Sequence, residues 1–199
     1  AWHLVEAGLL PFAAFQSPDC PVPVHLLAHS MGAFLTREAF RMAERSHRTD
    51  LRGGWRVAQL VLVAADLSSA CFASASPDMA PVFAHCGRLT NYFSGCDEAL
   101  AVSAVKAVDI SARVGRVGMP THLACPAKAV DVDGGPRYLA VPDRRLQVLD
   151  GMVSHTWYFE DPVWYDDLAH TLRGDLDRGH IPGRVALGDG DFALPTARV

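Results

Sequence analysis

The run Val24-His25-Leu26-Leu27-Ala28-His29-Ser30-Met31-Gly32 constrains this chain more than any other. Val24 to Ala28 is short and apolar, with Pro21 and Pro23 just upstream. It predicts a strand buried on both faces of a parallel sheet. From Ala33 to about Arg45 the period changes. Arg37, Arg41, Glu44 and Arg48 recur on one face and Leu35, Ala39 and Met42 on another, which predicts a helix with a solvated side and a packed side. The chain therefore passes from strand to helix through one tight turn at Ser30. Ala28 and Gly32 flank it at two positions on either side, where closely passing backbones should leave no room for a large side chain.

Further elements follow the same alternation. Val57 to Ala65 predicts a second central strand, ending at Asp66. Leu67 to Gly87 reads as a loop with a short helix. Arg88 to Ser94 predicts a third strand, and Glu98 to Val108 a helix. Ala129 to Val132 is a further strand candidate within a turn-rich stretch. Arg145 to Leu149 is read as the last strand, with Asp150-Gly151 opening a loop that holds His155. Asp161-Pro162 has the form of a helix start, capping residue then proline, for a helix to about Arg173. Strands alternating with helices predict an α/β three-layer sandwich with a mostly parallel sheet. It forms one domain over 1–199, with its core at 24–173 and an irregular tail at 174–199.

In such sheets ligands bind beyond the carboxyl ends of the strands, where Ser30, Asp66, Asp97 and His155 are all expected. A Ser at a strand-to-helix turn between small residues is a nucleophile elbow, and it is also the pattern of an ordinary helix cap. Read as a nucleophile, Ser30 needs a general base and a carboxylate to orient that base. His155 fits the base, and Asp97 fits the carboxylate because it follows a strand and keeps the order Ser, acid, His. Asp66 is the alternative acid. The amide of Met31, first in the helix, is the expected oxyanion donor.

These segments, with Leu60 to Asp66, Asp97-Glu98-Ala99-Leu100 and Ser154 to Phe159, resemble a family of poorly characterised α/β hydrolases, many of them bacterial. The resemblance runs from Val24 to Arg173. It implies a Ser30, Asp97, His155 triad, and the elbow with the ordered Asp and His points, as chemistry, to carboxylic-ester hydrolysis through an acyl-serine. The same triad could instead transfer the acyl group to an alcohol or thiol. The fold normally sets several strands, and the loop bearing a second oxyanion donor, ahead of the nucleophile. Only 29 residues precede Ser30 here, with one helix expected over Leu4 to Phe15. A chain opening Ala1-Trp2-His3 thus reads as an N-terminally shortened piece of something longer. A degenerate hydrolase domain acting as a binding or structural module is the third reading.

Composition narrows the partners. The net charge of −4, with Lys and Arg scattered, gives no basic stripe for nucleic acid or a membrane surface. No apolar run approaches the roughly 20 residues that span a bilayer. A small ester or acyl substrate is expected, and oligomeric state is left open. Five cysteines at irregular spacings suit free thiols in a reducing cytoplasm, with a Cys86–Cys96 disulfide as the alternative. His25 and His29 share a strand face, but no third ligand follows at a suitable spacing, so neither a metal nor another cofactor is expected. Trp157, Tyr158, Phe159, Trp164 and Tyr165 are read as packing residues, some of which could border an acyl pocket. Arg37, Arg41 and Arg48 are read as a solvated helix face.

Overall fold

The computed structural model describes residues 1–16, 19, 23–46, 51, 55–73, 76–106, 111–120, 127–147, 149–188 and 190–198, the side chains of 104–106 excepted. Cys20, Arg48, Val108, Cys125 and all but Leu51 of the predicted break at 50–54 lie outside them.

The chain starts with a helical run, α1, made of Trp2–Leu4, a π-turn at Val5–Leu9 and Leu10–Phe15. β1 (His25–His29) leads into α2 (Met31–Arg45), and β2 (Val57–Val63) is followed by a 3₁₀ turn (Ser69–Phe72) and α3 (Ala80–His85). Then come β3 (Cys86–Phe93), α4 (Glu98–Lys106), α5 (Val114–Val117) and β4 (Ala129–Asp133). Four helices, α6 (Gly135–Ala140), α7 (Pro142–Leu146), α8 (Gly151–Thr156) and α9 (Pro162–Arg173), precede the short strands β5 (Val185–Ala186) and β6 (Phe192–Ala193).

The sheet order is β1-β2-β3-β4-β6-β5. Every pairing is parallel except that of β5 with β6. β2 shows why a continuous apolar run is needed at the centre of such a sheet. Leu60 and Leu62 enter one core with Phe40, Trp55 and Phe72, while Val61 and Val63 enter the other with Tyr92, Trp157, Tyr158 and Trp164. Side chains alternate across a strand, so both faces must be apolar when both are covered.

Three local expectations are corrected. Among the described residues β1 lies at the edge of the sheet rather than being buried on both faces, and Leu27 is 40% exposed. The buried face of α2 is Ala33, Thr36, Ala39, Phe40 and Ala43, whereas Leu35 and Met42 are exposed. Arg37 and Arg41 lie on the better covered side, paired with Glu38 and, for Arg41, Asp78. Lastly, Arg145 to Leu149 is not a strand. Pro142 at the first helical turn and Asp143 beside it start α7 instead, leaving Leu146 87% exposed. The place beside β4 that a further strand would occupy is taken by β6.

Residues after Gly174 are more ordered than an irregular tail. β6 joins β4, and Arg184 reaches in to the buried Asp167 carboxylate with two bonds of 2.8 Å, while Tyr92 donates to the same group. Cys71, Cys86 and Cys96 are free. Cys86 opens β3 and Cys96 lies past its far end, so at about 3.3 Å per residue the strand holds the two thiols far too distant to bond. No helix among the described residues is long and apolar enough to cross a membrane.

Candidate active site

β1 ends at His29 and α2 begins at Met31, so the whole reversal falls on Ser30, at φ 55° and ψ −128°. A non-glycine residue there carries strain of about 1–3 kcal/mol and persists only where its surroundings impose it. They do: the Ser30 amide donates to Val63 O at 3.1 Å, and its carbonyl accepts from Ala33 and Asp66, each at 3.1 Å. An ordinary N-cap serine has extended backbone and binds the helix with its hydroxyl. The Ser30 side chain makes no such bond. Met31 is the first helical residue, so its amide belongs to the donors that helix geometry leaves without an intrahelical acceptor. The steric reason expected for Gly32 does not hold, since a Cβ there would meet nothing within 4 Å. Ala28 is buried.

Asp97 closes the turn after β3 and is fully buried. Its two oxygens have separate tasks. Oδ1 accepts from the Leu100 amide at 2.9 Å, capping α4, and Oδ2 lies 2.7 Å from His155 Nδ1. With Nδ1–H assigned to that bond, neutral His155 presents an unprotonated Nε2, the form a general base requires. His155 sits on α8, not in a loop behind a last strand. Asp150 starts that helix by accepting from the amides of Met152 and Val153. The helix packs against α4, with Gly151 lying close to the Ala99 backbone. His155 thus reaches Asp97 from a helix, and only Ser30, Asp66 and Asp97 are at strand ends.

Asp66 follows β2 and turns elsewhere. Its carboxylate accepts from Ser103 Oγ at 2.9 and 3.1 Å and pairs with Arg113 Nε at 3.1 Å. Asp66 is therefore placed beside Ser30 by its backbone, and Asp97 beside His155 by its side chain.

Several contributors had no distinct mark in the sequence. Arg116 Nε donates to the Asp97 carbonyl at 3.0 Å, and Ser154 Oγ accepts from the Glu98 amide at 3.2 Å. Gly115 lies so close to the Ala64–Ala65 peptide that a Cβ would stand 2.2 Å from Ala65 N. Ala64 itself has a positive φ of 46°. One signal was available: an Asp three residues before Leu100 at a predicted helix start is a capping pattern. Among the described residues no group of three or more His, Cys, Asp or Glu side chains is disposed to hold a metal ion.

A parallel sheet in which a strand turns into a helix at a strained serine, with a carboxylate–histidine pair assembled beyond the strand ends, has the arrangement of an α/β hydrolase, although β1 lies at the edge of the described sheet. The family model described as an alpha/beta hydrolase of unknown function (DUF900) matches residues 16–158, and the chain belongs to that family. The match takes in Ser30, Asp66, Asp97 and His155, and membership supports a hydrolase-type function. No curated protein and no solved structure matches the chain.

Proposed function

We propose that this protein is a serine hydrolase that cleaves small carboxylic esters through an acyl-serine intermediate. The observation that carries the reading is the 2.7 Å bond between buried Asp97 and His155, whose ring packs on His29, the residue before the strained Ser30 whose hydroxyl is uncommitted to the helix.

In this reading Ser30 Oγ attacks the ester carbonyl carbon while His155 Nε2 takes its proton. The C–O bond to the alcohol breaks, and the alcohol leaves with that proton. Water then attacks the acyl-serine with His155 again as base, releasing the acid and restoring Ser30. Asp97 holds His155 in the required tautomer and offsets the charge of the imidazolium. The Met31 amide donates to the oxyanion, a contribution of about 3 kcal/mol for a donor of this kind. The free thiols of Cys71, Cys86 and Cys96, among the described residues, suit a reducing compartment such as the cytoplasm.

A fluorophosphonate probe tests the assignment on the intact chain. Covalent labelling of the native protein that disappears in Ser30→Ala is expected, and labelling that survives Ser30→Ala would overturn it. Products formed in the presence of a competing alcohol or thiol separate hydrolysis from acyl transfer.

A further inference from the structure

His29 has no part in the proposed chemistry, yet it touches the proposed base twice. Its Nε2 lies 3.3 Å from the backbone carbonyl oxygen of His155. Its ring packs on the His155 ring with centroids 4.6 Å apart and planes inclined by 48°. On another side it meets Phe159 edge-on at 5.1 Å, and Phe159 packs in turn on the buried Trp164 at 5.4 Å. A carbonyl only accepts, so His29 must carry its proton on Nε2 for the first contact to be a hydrogen bond. Burial lowers the His29 pKa, with the neighbouring His155 ring acting in the same direction and the His155 carbonyl and Asp97 opposing it.

We propose that His29 is a positioning residue for His155: its Nε2–H fixes the backbone that carries the base, and its ring limits the tilt of the imidazole. This rests on the serine-hydrolase reading above. Asp97 hydrogen-bonds the His155 ring at one atom only, Nδ1. His29 supplies the second restraint from a different element. His29 and Ser30 are also consecutive in the chain, so the residue that steadies the base is covalently joined to the proposed nucleophile. The base-to-nucleophile geometry then passes through one peptide unit instead of across the sheet. A neutral His29 adds no charge beside the imidazolium that forms on His155, which a protonated one would repel.

Three variants of the intact chain test this with a p-nitrophenyl ester. His29→Leu removes donor and ring, His29→Phe keeps a ring without a donor, and His29→Gln keeps an N–H donor. A 3.3 Å bond is at the weak end of the range, so the expected loss of kcat in His29→Leu is about tenfold, with KM little changed. His29→Gln is expected to recover most of that loss and His29→Phe little of it. A readout independent of turnover is the proton resonance of His155 Nδ1–H, expected to broaden through solvent exchange in His29→Leu and to stay sharp in His29→Gln. Unchanged kcat with a sharp resonance in His29→Leu or His29→Phe would overturn the proposal, as would a rise in KM alone. Should His29→Leu fail to fold, His29→Phe and His29→Gln decide by the same readouts. Labelling that persists in Ser30→Ala would instead defeat the serine-hydrolase reading, and the resonance would still report on His29.

Discussion

The amide of Asp66 donates to the carbonyl oxygen of Ser30 at 3.1 Å, so the turn after β2 grips the elbow after β1 through backbone alone. The Asp66 carboxylate meanwhile faces Ser103 and Arg113, which keeps that turn in place. Two acidic residues at neighbouring strand ends thus have different tasks, Asp66 bracing the Ser30 turn and Asp97 holding His155.

This division separates the two in a direct comparison. Asp97→Asn keeps the shape but cannot hold His155 Nδ1–H as a charge, so the rate of fluorophosphonate labelling is expected to fall by about two to four orders of magnitude. Asp66→Asn loses a partly covered ion pair, for which a stability loss of about 1 kcal/mol and labelling within a few-fold of the native rate are expected. Labelling kinetics and urea denaturation measured on both variants provide the check. A large labelling defect confined to Asp66→Asn would move the acid to Asp66.

Gly115 and Gly32 make opposite predictions from the same substitution. An alanine Cβ at position 115 would stand 2.2 Å from Ala65 N and 2.3 Å from Ala64 C, and backbone cannot yield as a side chain can. Gly115→Ala is expected to cost about 3 kcal/mol or more, the upper range for overpacking. At Gly32, inside α2 with open space around it, alanine is expected to add up to about 1 kcal/mol through helix propensity. Denaturation midpoints of the two variants with unchanged m-values would bear this out. A destabilised Gly32→Ala would mean that something covers that position.

Asp131 makes stability depend on pH. It is buried on β4, and burial raises its pKa to about 7, with Asp191 and Asp133 adding to the rise and bonds from Asn91 and the Met119 amide opposing it. The unfolded carboxyl ionises near its ordinary value of 3.8. Between those values the folded chain holds a proton that the unfolded chain has released, so the contribution to stability falls as pH rises, by up to about 1.4 kcal/mol per pH unit. The stability of the native protein relative to Asp131→Asn, which does not titrate there, should therefore be greatest below about pH 4, fall through pH 5 and 6, and be smallest above pH 7. Denaturation at pH 5 and pH 8 measures the gap, and an equal gap at both would rule the effect out.

What could be read from residues alone was whatever local chemistry decides. Asp161-Pro162 dictated a helix start, and the structure has Asp161 Oδ1 accepting from the amides of Val163 and Trp164. Gly174 ends that helix at a left-handed φ of 66°, where glycine is at ease. The apolar run from Leu60 to Ala65, which makes up the second half of β2 and the turn after it, suits a strand covered on both faces. Positions decided by long-range packing were not legible. Leu35 and Met42 look like core residues by spacing, yet among the described residues no strand lies beyond β1 and nothing buries them. Arg145 to Leu149 has the composition of a strand, but its place at the sheet is filled by Phe192 and Ala193, some 45 residues later. His155 was expected at the site behind a strand that does not exist. It arrives on α8 because Asp150 caps that helix and Asp97 receives its ring.

The strain at Ser30 yields the sharpest prediction about the site. A φ of 55° with ψ −128° is the mirror image of an ordinary extended conformation. Glycine has no Cβ and enters it as readily as its mirror, whereas any side chain pays the steric cost. Ser30→Ala keeps the Cβ and hence the strain, so its stability should stay close to that of the native chain. Ser30→Gly sheds about 1–3 kcal/mol of strain and gives back about 0.5–1 kcal/mol of backbone entropy, for an expected net gain centred on about 1 kcal/mol within a range of about 0–2.5 kcal/mol. Neither variant should label with the fluorophosphonate. Urea denaturation of both at one pH resolves the difference. A glycine variant less stable than the alanine variant by the full backbone-entropy cost of about 0.5–1 kcal/mol would show that the turn is not strained, and the elbow would lose its most particular feature. A more stable glycine variant without labelling would show instead that the fold holds Ser30 in an unfavourable conformation at a cost to its own stability, which a helix cap with no further role would not require.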